Sequence, residues 1–509
     1  MVLNAKQRQI GADNFNDAGR EIFKITRRQV LSAAVAIPSA AAMYWGYSKL
    51  KGSPVRTGLI GTGNQGCQAH ISQSNPDYID FVAFSDIRPS NQMRAREEFK
   101  KLYGPDKSKD VKLYENYRDM LKDPAIELVI IALPLHMHEP VTSDALAAGK
   151  HVLCEKLMAK TVTECKKMIR NAKAANRYLA VGHQRHYSYM YANALSLINQ
   201  GVLGDIRHIH AYWHRNQTAS DSWSPAIPDE DKGIDFKQYG YDSVEELIKW
   251  RIGTRTGGGL MVELGSHQLD AASIFLKHKL PTEIVGTGVT SYFQDGREIP
   301  DHVFMQYLFG DQTVFEGLPG RHHAETTPAT ASAPADLVLP LPYTTDNAVV
   351  TYSSISTNQF DAYGEQVNGS RATMIMDSEA QAYLFYEDFK DKAKETRVDT
   401  RIAWAEGRIG KPVMASGGTA AWASASGMPD TTISRGYREE QEHLAWLIRE
   451  FGRPDYNKAE TLPRCHGDVA LADAVVALCS NIAMEKKVRI QMKKAWFDYN
   501  STSNPESEV

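Results

Sequence analysis

Cysteine is scarce in this chain of 509 residues. The five thiols (Cys67, Cys154, Cys165, Cys465, Cys479) are odd in number and lack metal-ligand spacing. A complete disulfide framework is therefore excluded, buried free thiols are expected, and no metal site is assigned. An excess of either charge is also missing: 58 Lys and Arg stand against 61 Asp and Glu, which leaves no basic footprint for a nucleic acid. No run is long and apolar enough to span a bilayer. The nearest candidate, Val30 to Met43, is short, Ala-rich and broken by Pro38, so no span is expected beyond an uncleaved signal. Internal repeats are absent too. What remains, 42% hydrophobic and 23% charged residues, is the composition of an ordinary globular protein long enough for two domains.

The stretch that organises the chain is Val55 to Gly66. Val55, Leu59 and Ile60 read as a buried strand, followed by Gly61-Thr62-Gly63-Asn64-Gln65-Gly66, a G-x-G-x-x-G at a strand-to-helix transition. Its glycines allow a tight turn, a close approach to a pyrophosphate and close packing of the following helix, whose N-terminal N–H groups face the phosphates. A second strand, Ile79 to Ser85, ends at Asp86, where a carboxylate meets a ribose 2′-hydroxyl and disfavours a 2′-phosphate. NAD is therefore the expected cofactor, with NADP admitted if Arg88 offsets the repulsion. Strands at Leu128–Leu133, His151–Cys154 and Tyr178–Val181 alternate with helices at Gln92–Leu102, Pro140–Ala148 and Val162–Ala175. That alternation predicts a doubly wound parallel sheet over 54–182, with its ligand beyond the carboxyl ends of the strands. By that rule Leu133, Pro134, His138, Glu155, Lys156 and Arg185 join the glycine loop as cofactor-site candidates.

The first fifty residues are read as signal and linker outside the fold. Thr26-Arg27-Arg28-Gln29-Val30-Leu31 precedes the small, moderately apolar run that ends near Ala40-Ala41-Ala42. Basic, then apolar, then Ala-rich is the order of a twin-arginine export signal, which places the protein in the periplasm or otherwise outside the cytoplasm.

From His183 to about residue 500 the pattern changes to an α+β domain. Ile206–His214 alternates with the period of a half-buried strand, and strands at Glu283–Thr290, His302–Phe309, Val349–Ile355 and Ala372–Met376 follow with few helices between them. A large, mostly antiparallel, open sheet is expected. Residues 322–347 and 388–435 read as inserted loops, two amphipathic helices close the domain, and 501–509 form a tail. In Gly257–Asp270, a helix begun near Met261 would set Glu263 and His267 on one face, with Asp270 one turn on. A carboxylate so placed orients a histidine and raises its basicity, or merely satisfies a helix-face imidazole.

Together, GTGNQG, ALPLHMH, GKHVLCEKL and GGGLMVELGSHQLD resemble the Gfo/Idh/MocA oxidoreductases, which include glucose-fructose oxidoreductase and inositol dehydrogenases. The resemblance spans nearly the whole chain after the signal. Two departures are visible: the family's Glu-Lys-Pro reads Glu155-Lys156-Leu157, and the usual Asp one turn before the histidine is Glu263. The resemblance implies that Lys156, His267 and Glu263 carry catalysis, that the C-terminal sheet covers the nicotinamide, and that the protein is a homo-oligomer. Lys156, Tyr187, Trp250, Arg251, His267 and Tyr363 are the expected contacts to a sugar or polyol, with Trp213 and His214 nearby. Export implies a tightly held cofactor regenerated in place. Two further readings remain: a glycosidase or lyase acting through transient carbinol oxidation, and a cofactor-bound sugar-binding protein without turnover.

Overall fold

A computed structural model of the chain describes residues 3–23, 46–217, 223–318, 347–386 and 435–509. Strands β1 (Val55–Ile60), β2 (Ile79–Ser85), β3 (Lys112–Tyr114), β4 (Leu128–Ile131), β5 (His151–Cys154) and β6 (Leu179–Val181) form a parallel sheet in the order β3-β2-β1-β4-β5-β6. Every residue of β4 and β5 is buried. Crossover helices cover both faces, so these strands read as unbroken apolar runs rather than alternating ones. Among those crossovers are Pro89–Lys107, His138–Ala147 and Val162–Ala175; the last starts at a Thr161/Glu164 capping box. The order reverses between β1 and β4, which opens a crevice beyond their carboxyl ends. This is the expected Rossmann arrangement.

The second sheet holds eight strands in the order β13-β12-β11-β7-β10-β9-β8-β14. They are β7 (Ile206–His214), β8 (Glu283–Val289), β9 (His302–Phe309), β10 (Ala348–Ile355), β11 (Tyr363–Gly369), β12 (Ala372–Asp377), β13 (Gln381–Tyr386) and β14 (Ile490–Gln491). β7 pairs with β10 in parallel, and the other pairings are antiparallel. In β7, Ile206, Ile209, Ala211 and Trp213 are buried on one face, while His208, His210, Tyr212 and His214 stand half-buried on the other. The helices Ser266–Phe275 and Gly467–Lys486 lie under the buried face. Gly467–Lys486 is the one helix among the described residues long and apolar enough to cross a membrane, but its apolar window is 78% buried inside the protein, as a core helix would be.

Both ends of the chain depart from expectation. A helix, α1 (Ala5–Phe23), packs on β13, with Leu3 and Phe15 buried and Asn14 Nδ2 donating to Leu384 O at 3.0 Å. Gly11 allows this approach, since a Cβ there would sit 2.6 Å from the Phe385 ring. Tyr47 is buried as well and donates to Glu442 Oε2 at 2.7 Å. The first fifty residues are thus partly within the fold. The C-terminal tail is also docked: Val162 N donates to Glu506, and Lys166 Nζ donates to the carbonyls of Ser501 and Ser503. The twin-arginine stretch and nearly all of both inserted segments lie outside the described residues.

Candidate active site

The crevice continues beneath β7 and β11 as one cavity of about 950 Å³. Gly61, Gly63, Asn64, Gln65, Asp86, Arg88, Leu133, Pro134, His138, Glu155 and Lys156 line it from the first domain. Trp213, His214, Trp250, Arg251, Glu263, His267 and Tyr363 line it from the second. The glycine loop divides its work. Gly61 has φ +90° and a Cβ there would lie 2.2 Å from Ala132 O, while one on Gly66 would lie 2.1 Å from Gly61 O. At Gly63 the nearest atom to an added Cβ is Asn91 Nδ2 at 3.8 Å, so this face is left open to the cavity. That open backbone above a helical start fits a pyrophosphate. Thr62 and Gly66 do not line the cavity; Thr62 is fully buried, and its N–H donates to Asp86 Oδ2 at 2.7 Å.

Asp86 is fixed by four donors: Thr62 N, Thr62 Oγ1, Asn91 Nδ2 and Arg88 N. The Arg88 guanidinium, expected to offset the charge of Asp86, is held instead by Asp231, with Nε to Oδ2 at 2.9 Å. Sequence reasoning missed Asp231 because it sits in a loop acid cluster with no periodic or spacing signal.

His138 places both ring nitrogens against backbone carbonyls, Nδ1 2.8 Å from Leu157 O and Nε2 2.9 Å from Leu133 O. A neutral imidazole has only one N–H, so this geometry calls for the doubly protonated ring. Burial opposes that charge, but the Cys154 side chain and the two carbonyls outweigh it and raise His138 to about 9. His138 thus braces the cofactor loop against the loop that carries Lys156. Glu155 accepts from Gln65 Nε2 at 2.8 Å and faces His70 Nε2 at 2.9 Å. Burial pushes its carboxyl up, yet His70, Gln65 and Lys156 together hold it below the usual range. His70 carried no sequence signal, being one histidine on a buried turn.

Lys156 donates from Nζ to Glu263 O at 2.9 Å, and its peptide bond to Leu157 is cis. Burial lowers its pKa, opposed by the carboxylates of Glu263 and Glu155. His267 is held well below the ordinary imidazole range, first by burial and then by the cations of Lys156 and Arg185. Lys156 and His267 therefore share one cavity, with His267 as a neutral base.

The orienting carboxylates are not where helix spacing put them. Met261–Gly265 winds as a π-helix and Ser266–Phe275 continues as an α-helix, so the one-turn relation of Glu263 to His267 is broken. Glu263 pairs with Arg251, Oε2 to Nε at 2.8 Å. Asp270 lies 2.7 Å from His186 Nε2. Burial raises Asp270 to about 7, and burial, then the charge and hydrogen bond of Asp270, raise Asp473 beside it. The site atoms of His183, Asp270 and Asp473 lie within 4.8 Å of one another, but a carboxyl pair sharing a proton is a poor cation ligand set. Trp213, rather than an acid, stands beside His267, with ring centroids 5.5 Å apart, and it stacks on Tyr363 at 4.5 Å.

Two candidates leave the site altogether. Arg185 is 1% exposed and bonds Glu365, Glu379 and the His267 carbonyl, so it supports the floor of the cavity rather than a cofactor. Tyr187 is equally buried, with its hydroxyl 2.9 Å from His443 Nδ1. Tyr363 lines the cavity with its ring, while its hydroxyl donates to Ser378 O at 2.7 Å.

Comparison with known proteins agrees with this architecture. Residues 55–183 match the family model described as "Oxidoreductase family, NAD-binding Rossmann fold", and 191–324 match the C-terminal domain model of the same family. An inositol 2-dehydrogenase of Gluconacetobacter diazotrophicus is 31% identical over 33% of this chain and 47% of its own length. An uncharacterised oxidoreductase of Schizosaccharomyces pombe is 28% identical over 49% of this chain and 57% of its own. The chain spans about half the length of the curated relatives it matches. Among solved structures, aldose-aldose oxidoreductase from Caulobacter crescentus superposes with TM-score 0.53 at 17% identity, over 86% of this chain and all of that one. Levoglucosan dehydrogenase bound to NADH and levoglucosan does so with TM-score 0.54 at 18% identity, over 86% and 99%. At these identities the two structures show the shared fold.

Proposed function

The chain belongs to the Gfo/Idh/MocA family of oxidoreductases, and from that premise we propose that it interconverts a sugar or polyol carbinol and its carbonyl with NAD. The observation that carries this reading is the convergence of Lys156 and a neutral His267 on the cavity that the glycine loop opens into. When bound, the nicotinamide supplies the electron-pair acceptor for the carbinol C–H. The chain's own residues manage the proton and the charge. His267, held neutral, is the group that takes the hydroxyl proton. The Lys156 ammonium stabilises the oxygen as negative charge develops there. Trp213 and Trp250 line the cavity as apolar wall for sugar C–H groups. Arg251 lies over Trp250 at 4.2 Å, and Glu263 holds it in place.

The finer parts of the reading rest on sequence. The twin-arginine order supports export, and export supports a cofactor carried with the folded protein and regenerated in place. The half-buried histidines and tyrosine on the outer face of β7 in the second sheet support a homo-oligomer.

Purified protein, followed by pyridine-nucleotide absorbance while sugars and polyols are added, tests the proposal. Growth or bleaching of the reduced band with at least one substrate is expected. Lys156→Ala should lower turnover about 10²–10⁴-fold with dinucleotide binding retained. Product release with no net spectral change would favour the elimination reading, and no response in any condition would favour a binding protein.

A further inference from the structure

Arg88, Pro89 and Ser90 open the 89–107 helix beside the strand-end carboxylate Asp86. A guanidinium, a serine hydroxyl, a main-chain N–H and a helix N-terminus form the donor set that receives a phosphate monoester. An anion already occupies that donor set, and it comes from the other domain. Asp231, 0% exposed, lies on the segment after Trp223. Its Oδ2 accepts from Ser90 Oγ at 2.6 Å and from Arg88 Nε at 2.9 Å, and its Oδ1 accepts from Ser90 N at 3.0 Å. Arg88 also reaches Asp231 Oδ2 from its terminal nitrogen, at 2.9 Å.

We infer that Asp231 is a specificity residue: its carboxylate fills, from the second domain, the place a ribose 2′-phosphate would take, and so excludes the phosphorylated dinucleotide. The inference rests on the reading of the cavity as a nicotinamide dinucleotide site. A 2′-phosphate could enter only by evicting a buried carboxylate from three donors, beside the further negative charge of Asp86. A ribose with free hydroxyls needs no such displacement. Asp86 thus disfavours the phosphate at the strand end, and Asp231 removes the cation that would offset it.

Equilibrium binding of NAD and NADP to the purified full chain by calorimetry tests this. The wild type should bind NAD at least about tenfold more tightly than NADP. D231N keeps the shape of the side chain and loses its charge. It should strengthen NADP binding about tenfold while NAD changes less than about threefold, and D231N with R88A should lose the gain. An unchanged ratio in D231N, or a gain that persists without Arg88, overturns the inference. R88A alone, in the wild-type background, gives a reading that does not depend on the Asp231 variant folding. It should leave the NADP-to-NAD ratio within about threefold, because Arg88 is already spoken for, and a selective loss of NADP would overturn the inference. A wild type that binds neither dinucleotide removes the cofactor reading itself.

Discussion

His138 shows how one buried side chain can make the site depend on pH. Its two carbonyl contacts require the imidazolium, and its pKa rises from the ordinary 6.5 to about 9. A group raised on folding stabilises fully below its unfolded value and loses that contribution as pH climbs through the folded one. The window here is therefore 6.5 to about 9. His138→Gln should melt below the wild type at pH 6.5, with the gap in Tm shrinking as pH passes 9. A gap that stays constant with pH would show that the ring braces the loops without charge. At the same scale, Arg185 corrects a reading made from position alone. It follows a strand end, as a ligand-binding residue would, but buried Glu365 and Glu379 claim its guanidinium. Nothing in GHQRH distinguishes the two fates, since those partners lie far along the chain.

At the scale of elements, the glycine loop was legible because local backbone needs are written in local sequence. Gly63 and Gly66 should nevertheless fail differently. Gly63→Ala adds a methyl group that meets only Asn91 at 3.8 Å, so thermal stability should stay within about 0.5 kcal/mol while NAD affinity drops. Gly66→Ala drives a Cβ to 2.1 Å from the Gly61 carbonyl and should destabilise the free protein before any ligand is considered. Paired melting curves and dinucleotide titrations distinguish them, and equal losses of stability would contradict the division of roles. Other elements were less legible. β11, with the sequence YGEQVNG, carries polar side chains and two glycines, yet it pairs with β7 and β12 across the middle of a sheet. Its buried Glu365 is tolerated because Arg185, Tyr191 and Gln268 satisfy it. The π turn before His267 was equally hidden, because a residue count presumes the regular helical period.

Across the whole molecule, α1 changes what the N-terminus is for. It lies against β13, an edge strand, and its Asn14 occupies one of that strand's outward carbonyls. Removing residues 3–23 should lower Tm by a few degrees and promote self-association through the uncovered Tyr383 and Phe385, as size-exclusion chromatography and melting would show. An unchanged monomer–oligomer balance and Tm would mean that the helix is dispensable. Cleavage near Ala40-Ala42 would remove the same helix, so the intact mass of the mature protein bears on both questions. The amino-acid sequence alone determined the parallel sheet, the dinucleotide turn and the carboxylate after β2, because each depends on residues adjacent in the chain or set at strand ends by a fixed topology. Tertiary structure decided which charges are spent on one another: Glu263 on Arg251, Arg185 on two glutamates, Asp231 on Arg88. Such pairings join residues up to 194 positions apart, and a buried charge takes whichever partner the packing brings within reach.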